Sequence, residues 1–110
     1  MAKIRQAIWM GKNMNRLDLR CGDALELMQQ LEDNSIDVVI ADPPYNLGKN
    51  YGNNFDSKGF EDYLEFSLDW LRQAKRVLKP TGTIYVFMGV RFISYIYKIL
   101  ELDLGLHFNS

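Results

Sequence analysis

Asp42-Pro43-Pro44-Tyr45 concentrates more chemistry in fewer residues than any other stretch of this 110-residue chain. Each residue before a proline is pushed toward extended geometry, and proline has no N–H, so Asp42, Pro43 and Pro44 form a stiff extended stub. Its carbonyls are expected to point outward without partners. Such a stub holds a carboxylate and a nearby backbone carbonyl in fixed relation, two acceptors suited to a group that donates two hydrogen bonds. A primary amine on a planar ring is such a group. Tyr45 adds a π-face on which a flat heterocycle can stack, and an extruded base is held by stacking together with contacts to its polar edge. These residue types point to an aminated nucleobase.

The elements that must position the stub follow from periodicity. Leu17 to Arg20 alternates apolar with charged residues, a short strand signature, and Gly22-Asp23 ends it with a turn and a helix N-cap candidate. The helix from Ala24 to about Glu32 places Leu25, Leu27, Met28 and Leu31 on one broad face and stops at Asp33-Asn34-Ser35. Ile36 to Ala41, sequence IDVVIA, is β-branched and apolar on both faces, as in a parallel strand covered by helices, and it delivers Asp42 at its carboxyl end. Residues 45–59 hold three glycines and four asparagines and read as a long loop. Helical spacing returns from Phe60 to about Leu78 and ends at Lys79-Pro80-Thr81-Gly82. A buried strand follows over Thr83 to Met88, then an amphipathic helix from Arg91 to about Leu102, in which Tyr95 and Tyr97 cannot share a face. Gly105 breaks that helix, and LHFNS begins a further strand. Residues 1–16 have weak periodicity and read as a tail or lead-in; residues 17–110 form the domain.

The order β-α-β-loop-α-β-α argues for a parallel α/β sheet with right-handed crossovers. Ligands of such sheets bind beyond the carboxyl ends of the strands, where Asp23, Asp42 and the long loop all fall.

The run GDALELMQQLEDNSIDVVIADPPYNLG, followed by a long helix and LKPTGTIYVF, resembles the amino-terminal part of S-adenosylmethionine-dependent DNA amino-methyltransferases, in the class whose catalytic motif precedes the cofactor glycine motif. The resemblance covers roughly residues 17–110. It implies a partial Rossmann-like methyltransferase sheet, mostly parallel and incomplete. It also implies that the Asp42 carboxylate and the Pro43 carbonyl accept hydrogen bonds from the target amine, with Pro44 and Tyr45 completing the catalytic motif. Tyr45, Asn46 and Lys49 would meet the substrate; Cys21, Gly22, Asp23 and Asp42 would line the S-adenosylmethionine pocket. Family members headed by Asp rather than Ser act more on adenine N6, so adenine is the expected target. A plain N-cap role for Asp23 coexists with the cofactor role.

The resemblance has gaps. Members carry an F-x-G-x-G motif, whereas the glycines here, at 11, 22, 48, 52, 59, 82, 89 and 105, include no two separated by one residue. The target-recognition region is also absent, and two strands would be missing between the one leading to Asp23 and the one leading to Asp42. The expectation is therefore the catalytic half or a fragment of an adenine methyltransferase, inactive alone, whose partners are DNA and either a complementary chain or a second copy. A truncated relic or a non-catalytic binding or assembly module is the competing class.

Bulk properties fit one soluble domain. Apolar content of 47% and charged content of 25% are ordinary, and 13 basic against 14 acidic residues give a net charge of -1, without the basic excess that phosphate binding leaves. Lys49, Tyr51 and Lys58 are the loop residues suited to DNA contact. A lone cysteine and no Cys/His cluster argue against disulfides and metal, and no apolar run reaches signal or membrane length, so the expected compartment is the cytoplasm. Cys21 reads as a small strand-end residue, His107 as structural, and Arg72, Lys75, Arg76 and Lys79 as the solvated face of a helix.

Overall fold

IDVVIA does form a strand, and among the described residues it has a single strand beside it. The computed structural model describes residues 17–46 and 59–109, together with the backbones of Lys3–Ile4 and Ile8–Met10. In chain order the elements are β1 (Lys3–Ile4), β2 (Ile8–Met10), β3 (Leu17–Leu19), β4 (Gly22–Asp23), α1 (Ala24–Gln29), β5 (Ile36–Ala41), α2 (Phe60–Val77), β6 (Leu78–Val86) and α3 (Ile93–Lys98), followed by a π-helical turn over Ile99–Asp103. β5 and β6 pair in parallel, with Val39 opposite Ile84, Ile40 opposite Tyr85 and Ala41 opposite Val86. The α/β class and the parallel pairing agree with expectation. The segment read as a lead-in contributes two short strands: β1 lies antiparallel to β4, and β2 antiparallel to β3.

The sheet is finished on one face. Ala41 packs with Trp70, Leu71 and Ala74 of α2 and with Ile96, Ile99 and Leu104, while half-buried Val39, Ile84 and Val86 lie against this core. α2 is held to that face by its buried stripe of Tyr63, Ser67, Trp70, Leu71, Ala74 and Val77, at the spacing of a helical face. Glu61 and Asp62 in its first turn and Lys75 and Arg76 in its last complement the helix dipole. Buried Ser67 is satisfied by donating from Oγ to the Tyr63 carbonyl, 2.8 Å. On the opposite face Val38, Ile40, Tyr85 and Phe87 are all more than half exposed, at 52%, 68%, 57% and 55%.

Several boundaries differ from the periodic reading. α1 ends at Gln29, and Arg76 closes its carboxyl end: Nη2 donates to the Met28 carbonyl at 2.7 Å, and Nη1 donates to the Leu31 carbonyl at 2.9 Å and to Asp33 Oδ1 at 2.6 Å. Arg76 is therefore a tie between α1 and α2 rather than part of a solvated helix face. β6 begins at Leu78 because Lys79-Pro80-Thr81-Gly82 bulges out of register: Ile36 pairs with Leu78 and Val38 with Thr83, two steps along β5 against five along β6. Glycine is required there, since a Cβ on Gly82 would lie 2.8 Å from the Asp37 carbonyl oxygen and 2.6 Å from Leu78 Cδ1. Beyond Gly105, with φ of 71°, residues 106–109 are not in a strand. Tyr95 and Tyr97 are both exposed, at 43% and 44%.

Candidate active site at the carboxyl end of β5

β5 ends on Ala41, buried in the core, so the next residue leaves the sheet at a fixed point. Asp42 is exposed there, and Pro43, Pro44 and Tyr45 are half-buried. The Phe87 amide donates to the Ala41 carbonyl at 2.9 Å, which extends the β6 ladder to the base of the stub. The Tyr45 hydroxyl donates to Asp42 Oδ1 at 2.6 Å. That bond exists only while the phenol keeps its proton, so it raises the Tyr45 pKa above the usual tyrosine value, and the ring stays neutral at physiological pH.

The expectation that all the stub's carbonyls are unpartnered is corrected at Pro44. Its carbonyl accepts a hydrogen bond from the hydroxyl of Tyr63, a fully buried residue of α2 whose oxygen also lies 3.3 Å from Met88 Sδ. The stub is thus anchored from the core side. Asn46 closes it in a left-handed turn, with φ of 59°, and is buried. Asparagine tolerates that conformation better than most side chains. Lys49, Tyr51 and Lys58 lie outside the described residues.

Asp23 is the N-cap of α1. Its Oδ1 accepts from the Leu25 amide at 2.9 Å and the Glu26 amide at 3.4 Å. Gly22 precedes it in β4, and Cys21 is exposed with a free thiol. The residues following Asp23 and those of the stub meet in one open cleft, lined by Ala24, Leu25 and Met28 of α1, by Val39 to Pro44, and by Phe66, Trp70 and Ala74 of α2. No β6 residue lines it, so the cleft runs along the edge of β5 that faces away from β6. Among the described residues Asp42 is the one charged residue in the lining. Trp70 is 5% exposed, and its buried Nε1 has no hydrogen-bond partner among the described residues.

Among the described residues no three His, Cys, Asp or Glu side chains cluster as metal ligands, and no helix is long and apolar enough to cross a membrane. His107 is exposed. Sequence reasoning missed the tasks of the Tyr63 hydroxyl and the Arg76 guanidinium and the place of Trp70 in the cleft wall. Tyr63 and Trp70 sit on the apolar stripe of α2, where their spacing signals only burial.

A family model described as DNA methylase, for N6 and N4 enzymes, matches residues 36–110. The chain is 61% identical over 92 residues to the type II methyltransferase M.HpaI of Haemophilus parainfluenzae, covering 84% of this chain and 29% of that protein. It is 36% identical over 85 residues to the type II methyltransferase M.BamHI of Bacillus amyloliquefaciens, covering 76% and 20%. Similarity to the type II methyltransferase M.BglII of Bacillus subtilis is 38% over 68 residues, covering 62% and 18%. The chain therefore spans less than a third of the length of these relatives.

Proposed function

The chain belongs to the N6/N4 DNA methylase family, and from that premise we propose that it supplies the amine-holding part of an S-adenosylmethionine-dependent methyltransferase acting on the exocyclic amine of adenine in DNA. The observation that carries this reading is the Asp42 carboxylate, held at the exposed tip of a stub that is fixed to the sheet at Ala41 and to α2 at Pro44. The aspartate at the head of the motif favours adenine over cytosine.

In this reading Asp42 and the Pro43 carbonyl accept the two N–H bonds of the target amine. They draw the nitrogen lone pair out of conjugation with the ring and direct it away from the stub. As the new N–C bond forms, positive charge grows on the nitrogen, and the Asp42 carboxylate stabilises it without having to move. The excess proton leaves the nitrogen on the side of Asp42. Positioning and electrostatics do the work, so no covalent intermediate on the protein is needed. The Tyr45 hydroxyl fixes the rotamer of the carboxylate, and its ring offers the stacking face. Asn46 shapes the turn behind the stub, and Lys49, three residues further along the chain, is the cation assigned to the substrate.

The donor set fits the methyl-donating end of the cofactor. A carboxylate complements a sulfonium, and the walls of Ala24, Leu25, Met28, Pro43 and Pro44 suit its apolar surroundings. S-adenosylmethionine, when bound, would supply an electrophilic methyl group, whose bond to sulfur breaks as the bond to nitrogen forms, leaving a neutral thioether. Asp23, with Cys21 and Gly22, is placed by this reading at the cofactor's nucleoside end, while its Oδ1 remains the cap of α1.

The complementary part comprises the two strands expected between the one leading to Asp23 and the one leading to Asp42, with a covering helix, contributed by methyltransferase polypeptide other than these 110 residues. M.HpaI and M.BamHI have 71% and 80% of their length outside the aligned region, so ample chain exists to supply it. A parallel strand along the edge of β5 that is unpaired among the described residues would complete the sheet beside the cleft and leave the cleft itself to the cofactor. Its helix would cover Val38, Ile40, Tyr85 and Phe87, because parallel strands are stable when both faces are covered.

Mass spectrometry of nucleosides from DNA treated with the assembled methyltransferase tests the reading. N6-methyladenine is expected, and Asp42→Ala should lower its rate of formation on the order of 10²-fold or more without loss of assembly, as when one pre-aimed transition-state contact is removed. N4-methylcytosine as product would refute the choice of base. Undiminished methylation by Asp42→Ala would refute the assigned site.

A further inference from the structure

Two consecutive prolines leave the stub without amide donors at Pro43 and Pro44, so its main chain can be held there only through its carbonyls. Tyr63 does this. Its ring is 0% exposed and packs 4.5 Å from Phe92 and 6.0 Å from Phe66, centroid to centroid, and its hydroxyl donates to the Pro44 carbonyl. The tyrosine is carried by the 18-residue helix α2, whose buried stripe is locked to the sheet. A buried hydroxyl without an acceptor is costly, so the bond also fixes which way the Pro44 peptide faces.

We infer that Tyr63 is a positioning residue for the methyl-transfer site, an inference that rests on the function proposed above. Successive carbonyls of an extended chain point to different sides. Drawing the Pro44 carbonyl inward to Tyr63 therefore turns the Pro43 carbonyl away from α2 and toward the side where Asp42 is exposed. The two acceptors assigned to the amine are set relative to each other by a hydroxyl that never touches the substrate. Asp42 has a separate support in the Tyr45 hydroxyl, 2.6 Å from Oδ1, so each acceptor is aimed by its own tyrosine. Ring packing and hydroxyl placement are distinct tasks of Tyr63, and Tyr63→Phe separates them.

In the assembled methyltransferase, Tyr63→Phe should lower kcat about tenfold or more, because small misplacements of reacting groups cost up to about 10²-fold. KM for cofactor and for DNA should stay within about twofold, and the melting temperature should change little, since the ring remains. With the Pro44 carbonyl carbon isotopically labelled, its NMR shift should move on Tyr63→Phe as the hydrogen bond is lost. Unchanged kcat, an unmoved carbonyl shift, or a fall in kcat that merely follows a loss of folded protein would each overturn the inference. An active parent that is silenced by Asp42→Ala but indifferent to Tyr63→Phe would overturn the positioning role alone. A parent whose methylation does not depend on Asp42 would overturn the functional reading, and this inference would fall with it.

Discussion

The two faces of the β5–β6 pair are built from alternate residues of the same strands, yet they have opposite fates. Val39, Ala41, Ile84 and Val86 turn toward α2 and its buried stripe, whereas Val38, Ile40, Tyr85 and Phe87, one residue out of phase, face outward and are exposed. Both sets are apolar. A strand pair with apolar residues on both faces is made to be covered twice, and the described residues supply the cover for one face. Among the described residues large exposed apolar side chains outnumber large buried ones, thirteen to nine, the composition of a surface that takes a partner. The candidate site stands at the junction: its supports, Ala41 and Tyr63, belong to the finished side, and the cleft it opens into follows the edge of β5 that has no partner strand among the described residues.

Substitutions on the two faces sharpen that contrast. Leu71 is 0% exposed in the core cluster, and Leu71→Ala should cost about 2–5 kcal/mol in denaturant unfolding, the range for a buried leucine that leaves a cavity. Arg76→Ala should cost somewhat less, about 2 kcal/mol, because charge-assisted bonds to the Met28 and Leu31 carbonyls are lost and those groups are left to solvent. Ile40→Ala on the outer face should change the stability of this chain by about 0.5 kcal/mol or less, as exposed substitutions do, while weakening association with the complementary segment. A penalty at Ile40 equal to that at Leu71 in the chain by itself would break the contrast, because it would mean the outer face is already covered.

The sequence was most readable where one element follows one period. β5 matches its expected bounds from Ile36 to Ala41, and α2 starts at Phe60 as its spacing requires. It was less readable where a residue's role depends on what lies opposite. Arg76 has the composition and spacing of a solvated helix face, and only the approach of the α1 terminus gives it two carbonyls and a carboxylate. Tyr63 is indistinguishable from a core aromatic until the Pro44 carbonyl is seen above its hydroxyl. β1, β2 and β4 have two or three residues each, too few for any period to register. The LHFNS segment has strand-like composition but, among the described residues, no neighbouring strand to pair with. For the site itself, the local stiffness of Asp-Pro-Pro was legible, since it follows from covalent geometry. The tertiary anchor that decides which carbonyl faces the cleft was not.

Amide hydrogen exchange along Ile36–Ala41 tests most directly the claim that β5 presents one finished and one open side. In a parallel pair only alternate amides of a strand bond to a given neighbour. The account predicts alternating slow and fast exchange along β5 in this chain, with the fast set becoming slow when the complementary methyltransferase segment is bound. Uniform protection of all these amides in the chain by itself, or no change at the fast positions in the assembled enzyme, would contradict it.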